Sequence, residues 1–257
     1  MENLSEKIRQ FFDLLIFSSI WILGVAGALS WAASLAMEIE PSFFVVGIAM
    51  LGSLVIYNLD RLWDLNRDRL SSPDRSTFIT RHFALLFYVT VIAGACSFGL
   101  LFFLPLKAIL LLVVVFIVGV GHPYLKRFLF FKEAYITLTW VSVVVFLPAF
   151  SSVKPAHLGW VLTVIGLPIF ANIIASNIRD AEAGVSLLSR EFTLYFTRLL
   201  AIVGIICGVL GPEVVFSLTA VPLATLLSLI WFRDDERYGL LFIDGSLLVG
   251  GLIAVLF

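Results

Sequence analysis

Apolar runs long enough to cross a membrane recur along the whole chain. Of its 257 residues, 61% are hydrophobic and only 14% are charged, and the mean hydropathy is +1.07. A transmembrane helix needs roughly 20 mostly apolar residues to cross about 30 Å of hydrocarbon. Because such runs leave no room for a sizeable soluble domain, the sequence predicts an all-α, polytopic membrane protein with one domain over residues 1–257.

Nine candidate transmembrane helices can be counted in these runs. They cover about Leu14–Met37, Phe43–Tyr57, Phe83–Leu104, Ala108–Gly121, Ala134–Phe150, Leu158–Ser176, Leu194–Leu210, Val214–Phe232 and Leu240–Phe257. The segments between them alternate in charge. Of the 17 Lys and Arg residues, all but Lys107 and Lys154 fall in the N-terminus and in every second connection. By the positive-inside rule this predicts a plasma-membrane protein with a cytoplasmic N-terminus and its C-terminus on the opposite side.

Charge and cysteine content exclude several classes of function. The net charge of −1 provides no basic field for nucleic acid, and nothing in the sequence indicates an obligate protein partner. Cys96 and Cys207 each lie inside an apolar run, without a second cysteine or histidine at metal-ligand spacing, so we expect them to be packing residues.

The stretch Asn58–Arg75 interrupts the apolar sequence with a regular row of acids. Asp60, Asp64 and Asp68 are four residues apart, which places three carboxylates in one stripe on a helical face. One interpretation is a solvated loop whose aspartates pair with nearby arginines, namely Arg61, Arg67, Arg69 and Arg75. The other is a magnesium site, in which Asp60, Asp64 and Asp68 bind metal and the arginines hold phosphate.

A second polar stretch, Ala171–Gly184, follows the sixth predicted helix and lies on the same predicted face. Its polar residues repeat the four-residue step at Asn172, Ser176 and Asp180, with Asn177, Arg179 and Glu182 between them. Two polar helix ends at one face can converge, and together the two stretches provide enough carboxylates for two divalent ions that bridge a diphosphate. This favours the metal-site interpretation.

Two further features lie on the same predicted side. In Gly121–Glu133, Lys126 and Arg127 either enforce the topology or bind a diphosphate, and Tyr124 is a candidate for assisting a departing oxygen. Asp244 stands inside the last predicted helix, where a carboxylate normally marks a site or a buried partner. We expect Asp244 to pair structurally, for example with Arg237, rather than to act in catalysis.

These motifs resemble those of the UbiA superfamily of intramembrane prenyltransferases. The first family motif, Asn-Asp-x-x-Asp-x-x-x-Asp followed by Arg, is similar to DRLWDLNRDR here, and NIRDAEAG resembles the second. HPYLKR is similar to the family's Tyr-Pro-x-x-Lys-Arg segment, and FIDGSLLVGG to its last helix. The chain departs from the family at four positions: Asp60 replaces an asparagine, Arg61 an aspartate, His122 a tyrosine and Gly184 the last aspartate.

The resemblance implies nine helices around a central apolar cavity with a cytoplasmic-side active site. It implies two Mg²⁺ ions, held by Asp60, Asp64, Asp68, Ser176, Asp180 and Glu182, and a diphosphate bound by Arg69, Arg75, Lys126, Arg127, Arg179 and Asn177. The expected function is magnesium-dependent transfer of a prenyl group from a prenyl diphosphate to a hydrophobic, aromatic or lipid acceptor within the membrane. The alternatives are a carrier or binding protein without transferase activity, and a scaffold subunit without a ligand.

Overall fold

The fold is a bundle of helices. The structure, a computed structural model, describes residues 4–65, 72–125, 132–179, 189–233 and 235–257, and these contain no strand. The helices are α1 (Leu4–Phe17), α2 (Ile20–Ala36), α3 (Phe43–Trp63), α4 (Pro73–Arg81), α5 (Phe83–Leu101), α6 (Leu106–Leu125), α7 (Lys132–Ser151), α8 (Leu158–Arg179), α9 (Arg190–Leu210), α10 (Glu213–Ile230) and α11 (Gly239–Leu256). The prediction of an all-α protein with several apolar spans is confirmed.

Seven of the described helices are long and apolar enough to cross a membrane: α3, α5, α7, α8, α9, α10 and α11. The bent pair α1 and α2 raises this number to eight when the pair is counted as one span. The predicted fourth span corresponds to α6, whose apolar part, Leu106–Gly121, is shorter than the other spans. The described helices therefore support seven or eight spans by length and composition, and the predicted count of nine is not confirmed.

The first predicted span is broken into two helices. The axes of Phe11–Phe17 and Ile20–Ala36 differ by 62°, and Ser19 between them adopts a left-handed backbone with φ of 63°. A left-handed conformation is costly for a residue with a side chain, so tertiary contacts must hold it. One such contact is from Arg61 of α3, whose Nη1 donates to the Phe17 carbonyl at 3.3 Å. The carbonyls of the last turn of a helix lack partners within that helix, and Arg61 satisfies this one.

Helix α2 lies at the centre of the bundle, in contact with α1, α3, α7, α8, α10 and α11. Its sequence, IWILGVAGALSWAASLA, is rich in Ala, Gly and Ser, which allow neighbouring helices to approach closely in a membrane protein. Helix α11 continues this close packing on the side of α2 and α10: a Cβ atom on Gly251 would lie 3.0 Å from the Cβ of Ala28. Tight packing of small residues thus closes the centre of the bundle.

Helix α5 lies at the periphery, where only 17% of its apolar stretch is buried within the protein. It packs against α3 and exposes large apolar side chains on the other side, among them Leu85, Phe87, Ile92 and Phe98. A contiguous apolar surface of this kind suits contact with lipid rather than with water.

A substitution at Gly250 tests the close packing of α11 on α10. A Cβ atom at Gly250 would lie 2.5 Å from the Cα of Val221 and 2.8 Å from the Ala220 carbonyl oxygen, both backbone atoms. We expect Gly250→Ala to lower the free energy of unfolding by about 1–3 kcal/mol, the usual penalty for overpacking. Thermal unfolding of the detergent-solubilised protein measures the change.

Gly99→Ala is the matched control, because a Cβ atom there meets nothing within 4 Å. Alanine is favoured over glycine in a helix by roughly 0.5–1 kcal/mol, so this variant should unfold at the same temperature or higher. Equal unfolding temperatures for the two variants would show that α11 and α10 are not in close backbone contact.

Candidate active site

A pocket of about 240 Å³ opens where the polar ends of several helices meet. Its walls come from α3, α4, α6, α7, α8 and α11. The lining residues are Ile56, Tyr57, Asp60, Arg61, Asp64, Arg75, Val118, Gly119, Lys132, Tyr135, Ile136, Thr139, Trp140, Asn172, Ile173, Ser176, Asn177, Leu240 and Asp244.

Helix α3 contributes the acidic wall. Tyr57, Asp60, Arg61 and Asp64 follow one another at steps of three, one and three residues, so they share one face of the helix. The backbone N–H of Asp64 donates to the Asp60 carbonyl at 2.9 Å, and Asp64 ends the helix. Helical periodicity therefore places Asp60 and Asp64 along the same pocket.

Helix α8 contributes neutral oxygen and nitrogen groups to the pocket. Asn172, Ser176 and Asn177 lie on one face of its last turns and all line the pocket. Asn172 is 6% exposed, and its Nδ2 donates to the Ile243 carbonyl at 2.8 Å, which ties α8 to α11. The second polar stretch of the sequence thus meets the first at one end of the bundle.

Three buried cations line the same pocket. Arg61, Arg75 and Lys132 are between 7% and 9% exposed. The Arg75 Nη2 donates to Ser72 Oγ at 3.1 Å, and Lys132 Nζ donates to Asn177 Oδ1 at 3.3 Å. The amide of Asn177 in turn donates to Glu133 Oε1 at 2.8 Å, which fixes the amide between a cation and a carboxylate.

Asp244 lines the pocket and is not the partner of Arg237 that the sequence suggested. The Arg237 Nη2 lies 3.3 Å from Asp13 Oδ1 and 3.3 Å from Asp74 Oδ2, so it joins α1 to α4. Asp244 instead interacts electrostatically with Tyr57 and Arg61. The π-helical turn Gly239–Ile243 directly precedes it, and such turns often occur at functional sites because they change the direction of the side chains that follow.

Farther into the bundle, the pocket lining becomes aromatic and apolar. The rings of Tyr57 and Trp140 meet edge to face with centroids 5.8 Å apart, which joins α3 to α7. The apolar lining there also includes Ile56, Val118, Ile136 and Ile173. One space therefore has a charged end and an apolar end, as a ligand with an anionic head and an apolar tail requires.

The structure brings together five of the residues predicted to form the site, namely Asp60, Asp64, Arg75, Ser176 and Asn177. Tyr124 ends up elsewhere: it is 62% exposed and does not belong to the described pocket lining. The other predicted residues, Asp68, Arg69, Lys126, Arg127, Asp180 and Glu182, lie outside the described residues, as does the side chain of Arg179.

Sequence reasoning gave no site role to Lys132, Tyr57, Trp140 or Asp244. Lys132 had a signal, a cation at the first position of an apolar helix on the charged face, but it lay beside the more conspicuous pair Lys126 and Arg127. Nothing in the sequence distinguishes Tyr57 and Trp140 from the other aromatic residues, because their pairing depends on the contact between α3 and α7.

The chemistry of the lining agrees with a hard divalent cation. Asp60 and Asp64 offer carboxylate oxygens, and Ser176 offers a neutral oxygen, which are the ligand types that Mg²⁺ prefers. Within the part of the chain that the structure describes, no group of three His, Cys, Asp or Glu residues is arranged to hold a metal ion. The described carboxylates therefore fit part of a metal site and need ligands from elsewhere, including water.

The fold is similar to that of a solved membrane enzyme. A digeranylgeranylglyceryl phosphate synthase, a UbiA-type prenyltransferase, superimposes with a TM-score of 0.52 over 98% of this chain and 100% of that chain, at 14% sequence identity. No family model and no curated protein matches the chain. The resemblance to UbiA-type prenyltransferases that the motifs indicated is thus confirmed at the level of the fold.

The role of Arg237 in holding α1 and α4 beside the pocket can be tested by hydrogen exchange. Arg237→Met removes two partly exposed ion pairs, and we expect a loss of about 1 kcal/mol. Because α1 and α4 are the helices that Arg237 joins, their amides should exchange roughly fivefold faster in the variant.

Arg81→Met is the control for this experiment, since Arg81 is an exposed arginine in the last turn of α4. It should leave the exchange rates of α1 unchanged. Equal exchange of α1 in both variants and in the wild type would contradict a role for Arg237 in joining the two helices.

Proposed function

We propose that this protein is a magnesium-dependent prenyltransferase of the cytoplasmic membrane. It transfers a prenyl group from a prenyl diphosphate to a hydrophobic acceptor, an aromatic compound or a lipid. The coarser statement, a multi-pass membrane protein with the fold of a membrane prenyltransferase, rests on the apolar helices and the structural similarity.

The observation that carries the proposal is the division of one pocket into a charged end and an apolar end. Carboxylates, amides and buried cations line the end near the connections, and Tyr57 and Trp140 line the end within the bundle. A prenyl diphosphate has the same division, with a diphosphate at one end and a hydrocarbon chain at the other. Water-soluble ligands would not need the apolar half.

Asp60, Asp64 and Ser176 would hold Mg²⁺, together with Asp68, Asp180 and Glu182 from the predicted motifs. When bound, the metal neutralises negative charge on the departing diphosphate. Arg75 and Asn177 of the pocket would bind the diphosphate oxygens, with Arg69, Lys126, Arg127 and Arg179 of the predicted motifs as further ligands. Charged donors that are already in place lower the barrier most when charge develops during the reaction.

In the proposed reaction the bond between the first prenyl carbon and the diphosphate oxygen breaks, and the electron pair leaves with the oxygen. The acceptor then supplies an electron pair to that carbon and loses a proton. The apolar end of the pocket holds the prenyl chain away from water, which otherwise competes with the acceptor for the allylic cation.

We further propose nine spans with α6 as the short one, which places the N-terminus in the cytoplasm and the C-terminus on the opposite side. The strong bias of Lys and Arg to one side of the predicted topology supports this orientation. It puts the pocket at the cytoplasmic face, where soluble magnesium and diphosphate exchange freely.

Replacing Asp64 tests the metal site directly. The purified protein is incubated with allylic diphosphates of several lengths and a membrane lipid extract, with and without Mg²⁺, and prenylated products are detected by mass spectrometry. We expect Asp64→Ala to lower the rate of product formation about 100-fold or more, because a carboxylate that positions a metal acts on the charge of the leaving group.

Glu191→Ala is the matched control, because Glu191 is an exposed carboxylate in the first turn of α9, outside the pocket lining. It should keep the wild-type rate. Full activity of Asp64→Ala would refute the metal assignment, and binding of an allylic diphosphate without release of diphosphate would favour a carrier over an enzyme.

A substitution at Gly119 tests whether the apolar end holds the prenyl chain. Gly119 lines the pocket, and a Cβ atom there would lie 3.1 Å from Ile56 Cδ1, so Gly119→Val fills space and displaces Ile56. We expect kcat/KM for the allylic diphosphate to fall about tenfold or more, as is usual when a substrate pocket loses room for a methylene group or two.

Gly121→Val on the same helix is the control, because Gly121 lies outside the described pocket lining and a Cβ atom there makes only an ordinary contact, 3.8 Å from Leu125 Cδ1. An unchanged kcat/KM in Gly119→Val, with Gly121→Val equally active, would place the prenyl chain elsewhere.

A further inference from the structure

We propose that Asp244 serves the acceptor side of the reaction: it binds a hydroxyl group of an apolar acceptor and takes the proton of that group when the prenyl chain is transferred. This inference rests on the proposed function and adds a catalytic residue and an acceptor class to the same site. Asp244 belongs to neither of the two polar stretches that are expected to bind metal. The assignment departs from the sequence expectation that Asp244 has only a structural partner.

Asp244 lies deeper in the bundle than the polar end of α8. The residue before it, Ile243, accepts a hydrogen bond from Asn172 Nδ2 at 2.8 Å, so Asp244 is at the level of Asn172. Along α8, Asn172 precedes Ser176 by four residues, which is about 6 Å farther from the charged end of the helix. The carboxylate of Asp244 therefore enters the pocket farther inside than the proposed metal ligand of α8.

Helix α3 gives the same depth from the opposite wall. Tyr57 precedes Asp60 by three residues and Asp64 by seven, so it lies on the inner side of both. Tyr57 interacts more strongly with Asp244 than with Asp60. Asp244 thus faces the inner side of the acidic wall, where the lining changes from charged to aromatic.

This boundary is where the reacting carbon has to lie. In a prenyl diphosphate the first prenyl carbon joins the anionic head to the apolar chain, so it lies between the charged end and the apolar end of the pocket. The acceptor must reach that carbon and lose its proton there. Of the three carboxylates in the described lining, Asp60 and Asp64 belong to the acidic stripe of α3, and Asp244 approaches the boundary from α11.

The charge of Asp244 is compensated without a metal ion. Arg61, which is 7% exposed, interacts more strongly with Asp244 than with Asp60. An opposite charge nearby favours the ionised form of a carboxyl group. A group that is to take a proton in the reaction has to be ionised beforehand, so the neighbouring guanidinium suits Asp244 to the role of a base.

The surroundings of Asp244 favour a hydroxyl group over other acceptors. A hydroxyl group can donate a hydrogen bond to the carboxylate, whereas an acceptor without a donor displaces water from it and returns no hydrogen bond. A protonated amine is repelled by the cations of the same lining, among them Arg61 and Lys132. Lipid alcohols and phenols share the required chemistry.

The proposed step balances as follows. The bond between the first prenyl carbon and the diphosphate oxygen breaks, and its electron pair leaves with the diphosphate. A lone pair of the acceptor oxygen forms the new bond to that carbon, which gives an ether. The O–H bond of the acceptor breaks, its electron pair stays on the acceptor oxygen, and the proton moves to a carboxylate oxygen of Asp244. Water takes the proton from Asp244 once the products have left.

The test separates transfer to the acceptor from loss of diphosphate. Purified full-length protein in detergent is given Mg²⁺ and allylic diphosphates of several lengths. Prenylated product is measured by mass spectrometry with a membrane lipid extract, and release of diphosphate to water is measured without the extract. We expect Asp244→Asn to lower product formation about 100-fold or more, the usual contribution of a general base. Release of diphosphate should stay at the wild-type rate, because solvent water captures the allylic cation without help from Asp244.

Three further variants complete the test. Asp244→Glu keeps a carboxylate and should recover part of the lost product formation. Tyr57→Phe keeps the ring that contacts Trp140 and removes a neighbouring hydroxyl group, and product formation should fall less than in Asp244→Asn. Asp235→Asn is the matched control: Asp235 is exposed, lies outside the described pocket lining and accepts from the Tyr238 N–H at 2.9 Å through an oxygen that asparagine retains. It should behave as the wild type in both measurements.

Chemical treatment of the extract tests the acceptor class. Acetylation blocks hydroxyl groups, and the wild type should form no product with the acetylated extract. Reductive methylation modifies only amino groups and should leave product formation unchanged. Product from the acetylated extract would overturn the assignment of a hydroxyl acceptor.

The remaining outcomes are distinguishable. Wild-type product formation by Asp244→Asn overturns the role of Asp244. Equal loss of product formation and of diphosphate release in both Asp244→Asn and Asp244→Glu overturns it as well, because the carboxylate then acts on the diphosphate or on folding. A wild type that releases no diphosphate from any allylic diphosphate, with or without the extract, overturns the proposed function itself.

Discussion

Burial of charge within an apolar bundle is the constraint on which the rest of the structure depends. Arg61, Arg75 and Lys132 lie below 10% exposure in a protein whose outer surface is largely apolar. Taking a charge out of water costs several kcal/mol unless partners replace the water. The helices supply those partners: the Phe17 carbonyl for Arg61, Ser72 for Arg75 and the amide of Asn177 for Lys132. The break between α1 and α2 follows from the same need, since it leaves the Phe17 carbonyl available to a side chain.

Packing is closer at the centre of the bundle than around the pocket. Small residues allow α2, α10 and α11 to meet at backbone distance, so that at Gly250 there is no room for even a methyl group. Around the pocket, the large aromatic side chains of Tyr57 and Trp140 border open space instead. A rigid, closely packed centre holds the polar helix ends in position, and a site that must stabilise developing charge benefits from groups that do not need to reorganise.

The sequence predicted what depends on local pattern and missed what depends on tertiary contact. Apolar runs and the four-residue spacing of Asp60 and Asp64 indicated the membrane class and the acidic wall, because a helix repeats its faces at a known period. The break at Ser19 was missed since no glycine or proline marks it. Asp244 was paired with the wrong arginine because sequence proximity favoured Arg237, whereas the fold brings Asp13 and Asp74 to Arg237. Lys132 can be recognised as a site residue only from its hydrogen bond to Asn177 of α8, which is a tertiary contact.

A fixed guanidinium and a metal ion differ most at the end of a catalytic cycle. A metal ion can leave together with the diphosphate that it neutralises, whereas Arg61 stays bonded to the Phe17 carbonyl and keeps its charge in the pocket. In the proposed prenyl transfer, each cation that belongs to the protein would therefore favour retention of the product diphosphate as much as binding of the substrate. Interactions that are equally strong with substrate and product do not accelerate turnover, and release of product then limits the rate.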